Sequence, residues 1–271
     1  MTMARKKGGG KGRQRARQRA QYDELDKYPV MPPHAFARIV RDKQTLNIIY
    51  QIIEPPLTKK EQEQRDEIMD IFIRSLTANI EEIDSNPEAY VRTAMDKVIK
   101  SYSMKINKKS KSKLFYYLRR DLIGYGKMDV LMNDVNVEDI SLDGTNVPIF
   151  AYHRKFESVE TTCVWETDEE LESYVIKLAQ RCGKHISVAE PLLDATLMDG
   201  SRIVMKLGHE ISTRGSAFCI RRFKDDPFSP ADIVAFRTMS SLMVAYLWIA
   251  FQNEVPMLFV GGTASGKTTT L

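Results

Sequence analysis

The stretch Gly261-Gly262-Thr263-Ala264-Ser265-Gly266-Lys267-Thr268 constrains this chain more than any other. It satisfies Gly-x-x-x-x-Gly-Lys-Ser/Thr at every fixed position. The pattern needs a strand before it and a helix after it. Met257 to Val260, opened by Pro256, is apolar and is predicted to be that strand, and Thr268 to Leu271 is predicted to begin the helix. Glycines let successive backbone N–H groups turn inward around an anion where a Cβ would obstruct them. The helix N-terminus adds the positive end of its dipole. The loop therefore points to the phosphates of a nucleoside triphosphate, with ATP and Mg²⁺ as the expected cofactors. Gly261, Gly262, Thr263, Ala264, Ser265, Gly266 and Thr269 form the cradle, Lys267 reaches the β- and γ-phosphates, and Thr268 offers its hydroxyl to Mg²⁺. A nucleotide domain on a parallel sheet needs further βα units after this loop. The expectation is therefore a portion of a longer protein that by itself binds ATP poorly and does not hydrolyse it.

Charge is unevenly placed. The 271-residue chain has a formal net charge of +4, yet residues 1–21 hold eight Lys and Arg and no acid, which leaves the remainder at −4. A Gly-, Arg-, Lys- and Gln-rich arm with so little to bury is expected to be disordered. It is read as a solubilising tail, or as an arm touching anionic lipid or RNA. A mildly acidic remainder argues against a globular nucleic-acid-binding face. Cys163, Cys182 and Cys219 form no CxxC pair and no metal pattern with the four histidines, so free thiols are expected. The longest apolar run, Leu242 to Phe251, is about half of what crosses a bilayer.

Along the chain, residues 28–57 read as an extended docking segment with one strand, Leu46 to Ile53. Thr58 and Glu61 have capping-box spacing ahead of a helix with Ile68, Ile71, Phe72, Leu76 and Ile80 on one face. A second helix is predicted from Pro87, with Tyr90, Val91, Met95 and Val98 inward. Lys105 to Lys113 reads as a basic loop, and Lys113 to Ile123 as a third helix. Val137 to Leu142 and Pro148 to Tyr152 read as a hairpin across Asp143-Gly144. Thr167 is a predicted cap for a helix to Cys182, stopped by Gly183. Ser201 to Leu207 and Ala217 to Phe223 read as strands. The fold class expected is an α+β N-terminal region, made of a helical subdomain and a mixed subdomain, followed by the start of an α/β RecA-like P-loop domain. Its parts are a tail over 1–21, a helical domain over 22–127, an α+β subdomain over 128–223, a linker over 224–230, and the P-loop domain start over 231–271, with helices at Ala231 to Phe236 and Ser240 to Phe251.

From Tyr28 to Leu271 the sequence resembles the N-terminal half of an archaeal secretion ATPase of the type II/type IV class, which includes pilus and archaellum motors. The resemblance rests on Val137-Glu138-Asp139-Ile140, Tyr152-His153-Arg154, Gly183-Lys184-His185-Ile186-Ser187, Pro191 to Leu197, Asp199-Gly200-Ser201-Arg202, Gly215 to Phe223, and the loop from Gly261 to Thr270. Met198 departs from it, standing where that family's loop has proline. The resemblance implies a hexameric ring, an N-terminal domain hinged over a RecA-like domain, and N-terminal arginines that reach the nucleotide. Arg202, Arg221 and Arg222 stand at the matching positions, each alternatively a strand-edge arginine paired with an acid. On a strand Arg221 and Arg222 face opposite ways, so one of the two is expected to face ATP. His153 and His185 are read as packing or interface residues. The implied partners are copies of the chain in a homo-hexamer and a polytopic membrane platform protein. No specific nucleic acid is expected, and the place is cytoplasmic, peripheral to the membrane. Two other classes stay open: a nucleic-acid-handling P-loop motor, which the basic tail favours, and a non-catalytic docking module for a membrane partner.

Overall fold

A nine-stranded mixed sheet organises the first of two units into which the chain divides, Met1–Arg222; the second is Phe223–Leu271. The computed structural model describes residues 21–75, 86–223, 229–262 and 266–270. The basic tail over 1–20, Leu76 and Ile80, and linker residues 224–228 lie outside them.

The strands are β1 (Tyr22–Met31), β2 (Ala35–Asp42), β3 (Ile48–Ile53), β4 (Val137–Leu142), β5 (Pro148–His153), β6 (Glu157–Val164), β7 (Leu192–Thr196), β8 (Arg202–Lys206) and β9 (Ala217–Arg221). Their spatial order is β1-β2-β3-β6-β5-β4-β9-β8-β7. Every pairing is antiparallel except β3 with β6, which matches Ile49 to Glu160 and Tyr50 to Thr161. That one parallel join follows from the chain's path. It leaves the sheet after β3, builds a helical layer, and returns through the β4–β5–β6 meander, whose last strand lies against β3.

The helical expectation for residues 22–127 is corrected at its start. Tyr22 to Asp42, placed in that helical domain and read from Tyr28 as a docking segment, forms two strands of the sheet. In β2 the residues Ala35, Ala37 and Ile39 alternate inward and are fully buried, a period-two pattern that prolines at 29, 32 and 33 obscure. In β1 two register shifts, at Glu24/Asp26 and Pro29/Met31, break the alternation that would betray a strand. Strands β6 and β7 also lie where no strand was expected.

Helices α1 (Lys59–Ser75), α2 (Pro87–Ser101) and α3 (Lys108–Leu122) form a bundle around Ile68, Phe72, Val91, Met95, Val98, Leu114 and Leu118. Thr58 and Glu61 make the reciprocal capping box: Thr58 N–H donates to Glu61 Oε2 at 2.8 Å and Glu61 N–H to Thr58 Oγ1 at 3.2 Å. The basic stretch expected as a loop to Lys113 is helical from Lys108. Asn107 caps it by accepting the Ser110 N–H at 2.7 Å, and that offsets a run of lysines at a helix start. The bundle meets the sheet through Tyr116 and Tyr117, packed with Ala35 and Val130. Arg120 Nη1 donates to both carboxylate oxygens of Glu54, at 2.8 and 3.0 Å.

Helices α4 (Asp129–Asn133) and α5 (Asp168–Arg181) cover one face of the sheet. Leu131, Leu171, Val175 and Leu178 pack there with Ile140, Ile149, Trp165, Met205 and Ile220. Each such side chain contributes about 1.5–3 kcal/mol of burial. Thr167 caps α5 by accepting the Glu170 N–H, and Gly183 leaves it at φ +67°. The other face of β5-β4-β9-β8-β7 stays open, with Tyr152, Cys219 and Val204 exposed on it.

In the second unit α6 (Pro230–Ala235), α7 (Ser241–Gln252) and the short α8 (Lys267–Thr270) are the elements. None of its described residues is buried. Met257 to Val260 is not a strand, and Leu258 and Val260 are 88% and 82% exposed. A strand exists only by pairing, and no described residue of this unit offers a partner ladder. Helix α7 is apolar on all sides, the pattern of a buried helix, yet Leu242, Tyr246, Trp248 and Ile249 are exposed. Among the described residues no helix is long and apolar enough to cross a membrane.

Candidate functional site

The candidate phosphate loop lies in the second unit. Gly266 adopts φ +81°, a left-handed backbone that glycine alone takes without strain. From there the chain enters α8, and Thr270 Oγ1 and N–H both donate back to Gly266 O, at 2.9 and 3.0 Å. The Lys267 ammonium folds over the loop, donating to Gly261 O at 2.7 Å and to Gly262 O. An ammonium has three protons to give. The two held by neutral carbonyls are the ones that phosphate oxygens, as charged acceptors, would draw more strongly. Thr263, Ala264, Ser265 and the side chains of Thr268 and Thr269 lie outside the described residues. A left-handed glycine, an ammonium aimed into the loop and a helix start fit the phosphate end of a nucleotide. Thr268 is the loop's own candidate for Mg²⁺, and among the described residues no group of three or more His, Cys, Asp or Glu could hold a metal ion.

The arginines lie in the first unit and divide as strand geometry requires. Arg202 on β8 and Arg221 on β9 are direct cross-strand partners, and Asp139 on β4 is the partner of Arg221 on its other side. All three face the open side of the sheet. Arg221 Nε is 3.2 Å from Asp139 Oδ1, and Arg202 Nη2 is 3.6 Å from Asp194 Oδ2 on β7. The arginine side chains are 78% and 73% exposed. Like charges directly opposite each other destabilise a sheet, and the two flanking carboxylates offset that. Exposed pairs of this kind are worth about 0–1 kcal/mol each, so an incoming polyanion can take both guanidinium groups at little cost.

Arg222 differs. It is half-buried, with Nη1 donating to the carbonyls of Asp134 and, at 3.0 Å, Val137, while its N–H donates to Glu138 O at 2.9 Å. Arg222, one of the arginines expected at the nucleotide, here holds main chain on the opposite side of the strand from Arg221, at the point where the first unit ends.

Arg222 is tied into a buried polar cluster that sequence reading missed apart from His153. The Asp134 carboxylate accepts the hydroxyls of Tyr28 and Tyr50, each at 2.6 Å, and Tyr28 Oη lies 3.0 Å from His153 Nε2. The Lys155 N–H donates to His153 Nδ1 at 3.1 Å. Nδ1 is therefore unprotonated, and Nε2 carries the proton it gives to Tyr28. Burial lowers the His153 pKa, which keeps the ring neutral. Burial, reinforced by Asp134, pushes both phenols well above 10 and keeps them donors. The residues come from β1, β3, β5 and the turn after α4, so spacing gave no signal of their meeting. His185 is exposed, and all three cysteines are free.

No family model matches the chain. Three uncharacterized proteins of Methanocaldococcus jannaschii are similar to it. One is 42% identical over 164 residues, which is 60% of this chain and 65% of that protein. A second is 33% identical over 231 residues, 84% of this chain and 41% of its own length. A third is 34% identical over 163 residues, 58% of this chain and 22% of its own length. The chain thus spans less than two thirds of each of these relatives. Among solved structures, the VirB11 ATPase from the Brucella suis type IV secretion system, in complex with sulphate, aligns with 53% of this chain and 51% of its own, at 18% identity and a TM-score of 0.36. A score of that size does not establish a shared fold.

Proposed function

We propose that this chain carries the phosphate-binding loop and an arginine-bearing N-terminal domain of an ATP-hydrolysing motor of the type II/type IV secretion, pilus or archaellum class. The observation that carries the reading is the loop itself: Gly-x-x-x-x-Gly-Lys-Thr with Gly266 left-handed and the Lys267 ammonium turned into it. Lys267 would engage the β- and γ-phosphates, and Thr268 would hold Mg²⁺ through its hydroxyl, the ion supplying charge neutralisation at the phosphates. The larger α/β domain of a RecA-like protein would bury the apolar surface of α7 and Met257 to Val260. Arg202 and Arg221, side by side and loosely paired, are the arginines that would engage phosphate, where a forked donor stabilises transferring charge. The motor works as a homo-hexamer at the cytoplasmic face of a membrane and drives a polytopic platform protein. The test is Lys267→Ala in the intact protein. Hydrolysis is expected to vanish while the circular dichroism spectrum is unchanged, and retained turnover would remove Lys267 from the site.

A further inference from the structure

One end of the helical bundle gathers lysines that the nucleotide reading leaves unused. Side-chain contacts establish which helix ends meet there. Glu61, in the first turn of α1, accepts a hydrogen bond from Ser110 Oγ at 2.7 Å and lies 3.4 Å from Lys113 Nζ, so α1 and α3 begin side by side. α2 runs antiparallel to α3. Arg119 Nε is 3.5 Å from Glu88, the Arg92 guanidinium sits 4.2 Å over the Phe115 ring, and Lys111 Nζ is 2.6 Å from Asp96. The starts of α1 and α3 and the end of α2 therefore share one end of the bundle.

At that end α1 opens with Lys59 and Lys60, α2 closes near Lys100, the connection holds Lys105, and α3 opens with Lys108 and Lys109; all six are exposed. None has a carboxylate within ion-pair distance among the described residues. Of the nearby acids, Glu61 and Asp96 are engaged by Lys113 and Lys111, while Glu63, one turn on from Lys59 and Lys60, begins the acidic flank of α1. Lys108 and Lys109 also stand at the positive end of the α3 dipole with no acid in its first turn. Like charges crowded in this way gain most when they face a surface of negative charge.

We propose that this end of the bundle is a docking surface for an anionic lipid bilayer. Clusters of about four to eight basic residues are what such surfaces bind, at roughly fivefold in affinity per residue. The side chains are lysines throughout, hydrated point charges suited to a diffuse headgroup layer, with none of the forked arginines that read nucleic acid. The flank of α1 turns Glu63, Asp66, Glu67 and Asp70 to solvent. That acidic flank repels a polyanion laid along the bundle and leaves end-on approach to a flat surface as the favoured geometry. The inference is independent of the nucleotide reading and adds a site on the fold to the basic arm in the sequence.

The experiment is co-sedimentation of the full chain with vesicles of phosphatidylcholine and phosphatidylglycerol, against phosphatidylcholine alone. Binding is expected to the mixed vesicles only and to be lost in high salt, where surface charge is screened. Replacing Lys100, Lys105, Lys108 and Lys109 together by Gln is expected to weaken it by at least about tenfold with the arm intact. All four are exposed, so thermal unfolding should not move. A chain lacking residues 1–20 is expected to keep salt-sensitive binding. Wild-type binding by the four-Lys→Gln variant would overturn the proposal, as would complete loss on removing residues 1–20 alone. So would tighter binding of a duplex oligonucleotide through the same four lysines, which would make the surface one for nucleic acid.

Discussion

Replacing Asp134 by Ala probes the cluster that ties β1, β3 and β5 together. Asp134 is 2% exposed and accepts two phenol hydroxyls at 2.6 Å and the Asn136 N–H at 2.9 Å. A hydrogen bond to an ionised acceptor is worth about 1.5–3 kcal/mol, and losing the acceptor leaves the buried donor unsatisfied. Two phenols therefore set an expected loss of about 3–5 kcal/mol, a large part of the roughly 5–15 kcal/mol that holds a domain together. With a urea slope of about 2–3 kcal/mol per molar for a unit of this size, the midpoint should fall by about 1–2.5 M. Trp165, buried in the same core, gives the fluorescence readout. Tyr28→Phe alone should cost about 1–2 kcal/mol. Added to Asp134→Ala, it should cost clearly less than alone, because the bond to Asp134 is already gone and only the one accepted from His153 Nε2 remains to be lost. A loss under about 1 kcal/mol for Asp134→Ala, or full additivity with Tyr28→Phe, would refute the shared-acceptor reasoning.

Glu61 is held down at about 2 from its ordinary 4.5, chiefly by the Thr58 N–H and then by the Ser110 hydroxyl. A depressed carboxylate stabilises above its ordinary value and stops doing so as pH falls from about 4.5 toward 2, so the gap in melting temperature between wild type and Glu61→Gln should close over that window, and a constant gap would count against the assignment. Gly144 has φ +119°, and a Cβ there would stand 2.2 Å from the Arg214 carbonyl oxygen; Gly144→Ala should cost at least about 2 kcal/mol in urea unfolding, and a neutral result would mean the two loops separate easily. In the intact protein, Arg202→Ala and Arg221→Ala should each cut kcat by about a hundredfold or more without moving the unfolding midpoint, whereas Arg222→Ala should lower the midpoint; the reverse pattern would exchange their roles.

Much of the helical layer was legible because its signals are local. Thr58 with Glu61, Thr167 ahead of α5, and the inward set Val91, Met95 and Val98 lie within a few turns of one another, and the structure has each of them. The β4–β5 hairpin announced itself through Asp143-Gly144. What escaped depends on distant chain. β1 alternates imperfectly across its two register shifts, and β6, which follows β5 through a short turn, is closed on its other side by β3 more than a hundred residues away. The expected strand at Met257 to Val260 has the right composition but no partner ladder among the described residues. For the site, strand parity separated Arg221 from Arg222 in advance. It could not say which of them faced open solvent, since that depends on which face α4 and α5 cover. The Asp134 cluster joins four separate segments and had no sequence signature beyond the buttressing role read for His153.

Phosphate binding by Gly261 to Thr268 through Lys267 is the step on which the proposed motor depends. It is tested most directly by measuring ATP hydrolysis by the intact protein beside its Lys267→Ala variant, with circular dichroism as the check on folding. Turnover by the wild type, lost in a variant of unchanged fold, is the expected result. Equal turnover in the two, or none in a correctly assembled wild type, would contradict it.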